Sequence, residues 1–220
     1  MNLTKNHEIV GRSEWIKIRE EYLKKEKAMT KGRDKLAAQI REMPWVKLEK
    51  KYTFQTSEGQ KSFADLFDEK SQLVVYHFMF APGWEEGCKN CSFWADNFGL
   101  ALPYHLPHRD VSFKVISRAP LKEIETYKRR MGWNFGWVSS NGSDFNIDLR
   151  VSDGKDEESP GISIFYREKE DIYQTYFTTG RGLEVLNPTY GILDLVPKGR
   201  DEAKLEFTMD WVKRYDEYSK

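Results

Sequence analysis

Two residues in this sequence carry the chemistry most worth following. Cys88 and Cys91 are the only cysteines in 220 residues, and they are spaced C-x-x-C. They follow an apolar run, Leu73 to Phe80 (LVVYHFMF), and open a segment whose Phe93, Trp94, Phe98 and Leu102 recur at helical spacing. A thiol at a helix N-terminus meets unpaired N–H groups and the positive end of the helix dipole, and both favour the thiolate. The thiolate is the species that reacts in disulfide exchange. Cys88 is placed to attack, and Cys91, one turn into the helix, to resolve the mixed disulfide. A loop this short restrains little of an unfolded chain, and a structural framework needs more cysteines and an oxidising compartment. A redox pair therefore accounts for the spacing better than a staple does.

The neighbours of the pair pull in opposite directions. Glu85 and Glu86 precede Cys88, and negative charge there raises a thiol pKa. Lys89 and His77 are candidates to offset it, although His77 lies inside the apolar run and also reads as a core histidine. Trp84 is a candidate to shield the thiols or simply to pack. A metal reading competes. His105 and His108 follow Cys91 after thirteen residues, giving a set of Cys88, Cys91, His105 and His108 near a two-Cys, two-His zinc spacing. The final interval is one residue short, and Pro103 and Pro107 keep one regular helix from presenting both histidines.

The surrounding elements must position these groups. Residues 12–42 read as helical in two stripes, Trp15, Ile18, Tyr22 and Leu23, then Leu36, Ala37, Ile40 and Met43. Ser13 is the candidate N-cap, and Thr30-Lys31-Gly32 the break. Pro44 stops the second stripe, so residues 1–43 form an N-terminal helical extension packed on a main domain spanning 44–220. In that domain Val46–Leu48 and Tyr52–Phe54 alternate like strands, and Ser57-Glu58-Gly59-Gln60 is a turn. Ser62–Phe67 fits a short helical turn. The run 73–80 suits a strand buried on both faces, as does Val111–Ser117. Leu121–Met131 is amphipathic, with Lys128, Arg129 and Arg130 at its C-terminal end, where the dipole favours cations. Trp133, Phe135 and Trp137 read as packing residues or as the wall of a ligand groove. Ile162–Arg167 and Ile172–Thr178 form a hairpin, residues 183–196 helix or turn, and 201–218 a mixed segment with a late helix. Strand, helix, strand, helix, hairpin and helix in this order point to an α/β sheet with a parallel pair.

Composition narrows the function classes. Lys+Arg and Asp+Glu are both 35, so the chain carries no basic surplus of the kind that nucleic-acid binding relies on. Aromatic residues make up 14%, enough to build a core in an otherwise polar chain. No apolar run reaches the ~18 residues of a membrane span. The N-terminus lacks the apolar core of a signal peptide, so the cytoplasm is the expected location. No cofactor is expected.

Longer motifs carry a resemblance. PWV at 44–46, SQLVVYHFMF at 71–80, PGWEEGCKNCSFWAD at 82–96, SRAP at 117–120, YKRRMGW at 127–133, WVSSNGSDFN at 137–146 and GISIFYRE at 161–168 resemble one bacterial family. It is catalogued as domain of unknown function eight-nine-nine and regarded as thioredoxin-like. The resemblance implies a thioredoxin-like (peroxiredoxin-related) fold: a central mixed sheet flanked by helices, with Cys88 and Cys91 at the redox position. Thioredoxin-like folds place a cis-proline facing the cysteines, and Pro160, just before an apolar strand, is the candidate. An ordinary strand-entry proline is the other reading. The dipeptide between the cysteines is Lys89-Asn90, where thioredoxin has Gly-Pro. A peroxiredoxin carries Pro-x-x-x-Thr/Ser-x-x-Cys. Here Pro82 is six residues before Cys88, and the hydroxyl position holds Glu85.

These readings converge on a thiol–disulfide oxidoreductase acting on a protein or small-molecule disulfide, with a cellular thiol as reductant. Neither nucleic acid nor membrane is expected as a partner, and the N-terminal helices are candidates to form a homodimer or to cover the active-site face. The rival is a thioredoxin-like binding module, its cysteines inert or holding zinc.

Overall fold

A computed structural model describes residues 7–98, 101–155 and 157–219. The chain divides into two compact units, Met1–Pro44 and Trp45–Lys220. In the first, helix α1 runs unbroken from Arg12 to Arg41, and none of its residues is buried. The expected break at Thr30-Lys31-Gly32 does not occur. One glycine costs a helix interior only about 1 kcal/mol, and the flanking Lys, Arg and Ala residues are good helix formers. Gly11, not Ser13, stands at the N-cap.

The second unit holds one eight-stranded sheet. Its strands are β1 (Val46–Lys47), β2 (Thr53–Thr56), β3 (Gly59–Ser62), β4 (Gln72–His77), β5 (Val111–Ser117), β6 (Gly136–Ser139), β7 (Gly161–Glu168) and β8 (Asp171–Thr178). They lie in the order β1-β8-β7-β4-β5-β6-β2-β3. The helices are α2 (Lys89–Phe98), α3 (Ala101–His105), α4 (Leu121–Arg130), α5 (Phe145–Asp148) and α6 (Pro188–Leu193).

β4 and β5 pair in parallel, as do β5 and β6. β7 runs antiparallel to β4, and β8 returns antiparallel to β7. A parallel strand–helix–strand unit with an antiparallel hairpin seated against its first strand is the thioredoxin-like arrangement. β6, the β2–β3 hairpin and β1 widen it at both edges.

Alternation along β4 separates two cores. Tyr76, Phe78 and Phe80 pack with Cys91, Trp94, Ile124, Tyr127 and Trp137 under α2 and α4. Leu73 and Val75 pack with Phe54, Phe63, Phe145 and Phe165 on the other face. Trp133, Phe135 and Trp137 pack in the first core, with Trp133 stacked on Phe135 at 5.5 Å. Only part of the helical segment expected over Cys91–Leu102 is described; residues 99 and 100 lie outside the described residues.

The C-terminal segment departs from expectation. Residues 201–218 are mostly turns, with a single 3-10 turn at Tyr215–Glu217 in place of a late helix. Side chains rather than a helical stripe anchor it. Val212 is fully buried in the α2–α4 core, and Trp211 packs at its margin. Among the described residues, no helix is long and apolar enough to cross a membrane.

Candidate active site

The cysteine pair sits where β4 delivers the chain to α2. Beyond His77, the backbone stays tied to β5 by Phe78 N–H to the Ile116 carbonyl at 3.0 Å. Ala119 N–H then donates to the Phe80 carbonyl at 2.7 Å. A tight turn follows, closed by Trp84 N–H to the Ala81 carbonyl at 3.2 Å, with Gly83 at φ +84°. Proline second and a positive-φ glycine third are the residues a type II turn requires. The loop returns at Gly87, where a Cβ would lie 2.7 Å from Phe78 Cε1 and 2.9 Å from Tyr127 Cε1, so only glycine fits without moving those rings.

Cys88 N–H donates to the Met79 carbonyl at 3.1 Å, and its own carbonyl accepts Ser92 N–H at 2.9 Å. Cys88 is therefore the residue that starts α2. Both cysteines are free, Cys88 half-buried and Cys91 buried.

Their environments push the two thiols apart. The Cys91 thiol donates to the Cys88 sulfur, and this, against the cost of burial, lowers the Cys88 pKa to about 6. The backbone N–H groups of Cys91 and Asn90 add to it, as does the positive charge of Arg214. Cys91 moves the other way: burial first, then its bond to Cys88, hold its thiol well above the ordinary range. The two shifts favour the thiolate at Cys88 over one at Cys91.

Arg214 is the group that sequence reasoning missed. Its Nη2 donates to the Gly87 carbonyl at 2.7 Å and its Nε to the Tyr127 hydroxyl at 2.8 Å. Tyr127 meets Ser92 Oγ at 2.8 Å, and Ser92 Oγ donates to the Cys88 carbonyl at 2.9 Å. A carbonyl can only accept, so the single Ser92 hydroxyl proton points to Cys88 and Tyr127 must donate to Ser92. The chain of donors thus runs from Arg214 through Tyr127 and Ser92 to the residue bearing the reactive sulfur. Arg214 stands 126 residues beyond Cys88, in a segment without periodicity, and nothing in the local sequence signals it.

The expected acidic penalty is answered by pairing. Glu86 bonds Arg214 Nη1 at 2.8 Å and also contacts Arg130. Lys89, expected to offset it, instead reaches the Asp210 carbonyl at 3.3 Å.

The remaining candidates are placed as follows. Trp84 is half-buried against the first core, four residues before Cys88. Pro160 and Cys91 line one cavity of about 270 Å³, but the bond preceding Pro160 is trans, not cis. His77 does not face the thiols. Period-two alternation turns it to the opposite side of β4, where its Nε2 meets Ser163 Oγ at 2.8 Å and its ring lies 6.0 Å from Phe145. It is a core histidine, with burial holding its pKa down to about 3.

The zinc set is not assembled. His105 ends the short helix α3, His108 lies in the following 3-10 turn at Leu106–Arg109, and both are exposed. Among the described residues, no three His, Cys, Asp or Glu side chains converge on one point. Pro103 lies within α3 and Pro107 in the 3-10 turn that follows, so the two histidines sit on different elements.

The family described as "Bacterial protein of unknown function (DUF899)" matches residues 4–218, and the chain belongs to it. No curated protein matches the chain. Among solved structures, it is similar to a mutant PrxQ from Xylella fastidiosa, at 16% identity and a TM-score of 0.45 over 64% of this chain and 89% of that one. It is also similar to the peroxidoxin BcpB from Mycobacterium tuberculosis, at 12% identity and a TM-score of 0.46 over 62% and 89%. A thioredoxin-like protein from Bacteroides caccae gives 16% identity and a TM-score of 0.41 over 72% and 55%.

Proposed function

We propose that this member of the DUF899 family is a thiol–disulfide oxidoreductase in which Cys88 attacks and Cys91 resolves. The observation that carries the reading is the geometry of the pair: a half-buried Cys88 at the start of α2, its carbonyl accepting Ser92 N–H at 2.9 Å, beside a buried Cys91, an arrangement that lowers the first thiol and raises the second. A catalytic thiol works best when its pKa lies near the ambient pH, because thiolate fraction and nucleophilicity then balance.

The Cys88 thiolate attacks one sulfur of a substrate disulfide. A Cys88–substrate disulfide forms, and the other substrate half leaves as a thiolate. With Cys88 no longer charged, the bond from Cys91 to it is lost, and the Cys91 proton passes to the leaving thiolate. The Cys91 sulfur then attacks Cys88, the Cys88–Cys91 disulfide closes, and the second substrate half departs and takes a proton from water. Two electrons move from the dithiol to the substrate, and a cellular thiol returns them. The substrate is a protein or small-molecule disulfide, and the cytoplasm is the compartment that suits a dithiol kept reduced.

Oxidation of the pre-reduced protein by bis(2-hydroxyethyl) disulfide, followed by alkylation and mass spectrometry, tests this. Cys88→Ser is expected to remove the reaction with the disulfide. Cys91→Ser is expected to react once and accumulate the mixed disulfide on Cys88. Undiminished oxidation in Cys88→Ser overturns the assignment.

A further inference from the structure

The exchange chemistry forms a second thiolate, and burial makes that one costly. Once Cys91 has given up its proton, a negative sulfur stands on a residue only 1% exposed, where an unpaired charge is strongly disfavoured. The N–H groups at the start of α2 and the charge of Arg214 act on Cys88. A different pair of donors faces the second sulfur.

Both donors come from β4 and the segment after it. Tyr76 lies on the α2 side of β4, fully buried, its ring 4.9 Å from Phe98 and 6.1 Å from Phe78. Its hydroxyl reaches Cys91, the carbonyl at 3.5 Å and the sulfur beside it. Met79 N–H reaches the same sulfur. Met79 is held against the start of α2, because its carbonyl accepts Cys88 N–H at 3.1 Å. Good O–H···O bonds are about 2.5–3.0 Å long, so the Cys91 carbonyl holds the hydroxyl proton weakly. A tyrosine hydroxyl has one proton to give, and a charged sulfur takes it in preference to a distant neutral carbonyl. Burial first, and then the charge of the Cys91 sulfur, hold the Tyr76 hydroxyl well above its ordinary range, so it donates and does not act as a base.

We propose that Tyr76 is a catalytic residue of the second half of the exchange: its hydroxyl, together with the Met79 N–H, donates to the Cys91 thiolate while that sulfur attacks Cys88. The proposal rests on the exchange reading and adds the group that lowers the cost of the buried thiolate. In this step the Cys91–Cys88 bond forms and the bond from Cys88 to the substrate sulfur breaks. The electron pair leaves on the substrate sulfur, which takes a proton from water. Tyr76 keeps its own proton throughout.

The test mixes the pre-reduced full chain with excess dithiobis(nitrobenzoate), an aromatic disulfide whose released thiolate is read by absorbance in a stopped flow. The first thiolate leaves as Cys88 attacks, at a rate proportional to reagent. The second leaves as Cys91 closes on Cys88, at a rate independent of reagent. Cys91→Ser is expected to show the first phase alone, which assigns the second. Tyr76→Phe removes only the hydroxyl. Its first phase is expected to stay within twofold of native, and its second to slow about threefold to tenfold at pH 7. That scale is the loss of one hydrogen bond to a charged sulfur, partly offset by the greater nucleophilicity of a more basic thiolate. The deficit is expected to close as pH rises toward about 10, where the Cys91 thiol ionises without help. Tyr76→fluorotyrosine, a stronger donor of nearly the same shape, is expected to speed the second phase. An unchanged second phase in Tyr76→Phe at pH 7 overturns the proposal and leaves exchange intact. A deficit equal at pH 7 and about pH 10, the mark of a purely structural effect, also overturns it, as does a fluorotyrosine chain that closes no faster than native. Survival of the first phase in Cys88→Ser, or no release by the native chain, removes the exchange reading and this proposal with it.

Discussion

Arg214 donates through Nε to the Tyr127 hydroxyl at 2.8 Å, so a residue near the C-terminus is fixed to the helix that covers the cysteine loop. The guanidinium also lies 6.0 Å from the centre of the Tyr127 ring. It is half-enclosed rather than solvated, and its planar fork serves four acceptors at once, the Gly87 carbonyl, Tyr127, Glu86 and Glu217. Its charge favours the Cys88 thiolate, and its hydrogen bonds hold the loop that delivers Cys88.

Arg214→Met keeps much of the side chain's volume and removes both roles. The pH profile of Cys88 alkylation by iodoacetamide is expected to inflect near pH 6 in the native chain and at higher pH in the variant. The sign follows from the charge: removing a cation near a thiolate raises the thiol pKa. Lost hydrogen bonds to a charged group are expected to cost about 1.5–3 kcal/mol in unfolding free energy. An inflection that stays in place would mean that Arg214 only supports the loop.

Gly87→Ala tests the closeness of packing behind the thiol. The new methyl meets two aromatic rings that are themselves buried among Phe80, Trp133 and Trp137. Overpacking of this kind costs about 1–3 kcal/mol. Urea unfolding is expected to show that loss, with the Cys88 alkylation rate altered because Gly87 is its chain neighbour. Native-like stability would show that the rings can move aside.

His77 links stability to acidity. Its pKa is about 3 in the folded chain, and about 6.5 is ordinary for an exposed histidine. Below pH 6.5 the unfolded chain binds a proton that the folded one refuses. Stability from this group is therefore complete above pH 6.5 and declines as pH falls toward 3, by up to about 1.4 kcal/mol per pH unit. Between pH 7 and pH 5, His77→Gln is expected to lose about 2 kcal/mol less than the native chain does. Parallel pH dependences of the two proteins would contradict the buried, neutral imidazole.

Asp96 gives the opposite sign. Burial raises its pKa to about 6, against the single hydrogen bond that Trp133 Nε1 donates to it at 2.8 Å. A raised carboxyl pKa means that stability is fullest below the unfolded value and falls as pH rises through 6. Asp96→Asn keeps an acceptor for Trp133 and removes the charge. It is expected to be about 1 kcal/mol more stable than the native chain at pH 8, a figure reduced for partial exposure, with the gain absent below pH 4. A destabilised variant at pH 8 would show that the carboxylate, not merely an acceptor, is needed there.

Much of the fold was legible because its signals are local. Leu73–Phe80 and Val111–Ser117 read as buried strands because a strand covered on both faces needs apolar residues throughout. The pair at Cys88 and Cys91 read as a helix start because Phe93, Trp94 and Phe98 supply the helical stripe behind it. Less local features misled. Gly32 looked like a break, but helix propensity sums over many residues and one glycine does not cancel the rest. His105 and His108 imitated metal-ligand spacing, and the fold carried them away from the cysteines. His77 lay in the right strand near the right loop, yet a period of two gave it to the other core.

Sequence alone determined the covalent order of the site: two thiols one helical turn apart, after a buried strand and at the start of a helix. That follows from side-chain type and spacing, which act over a few residues. Tertiary structure set how far apart the two thiols are pushed, because burial of Cys91, its bond to Cys88 and the charge of Arg214 act beside the local α2 N–H groups. It also decided that Glu86 is paired with Arg214 and Arg130. Charge and burial act through space, and only the folded chain sets those distances.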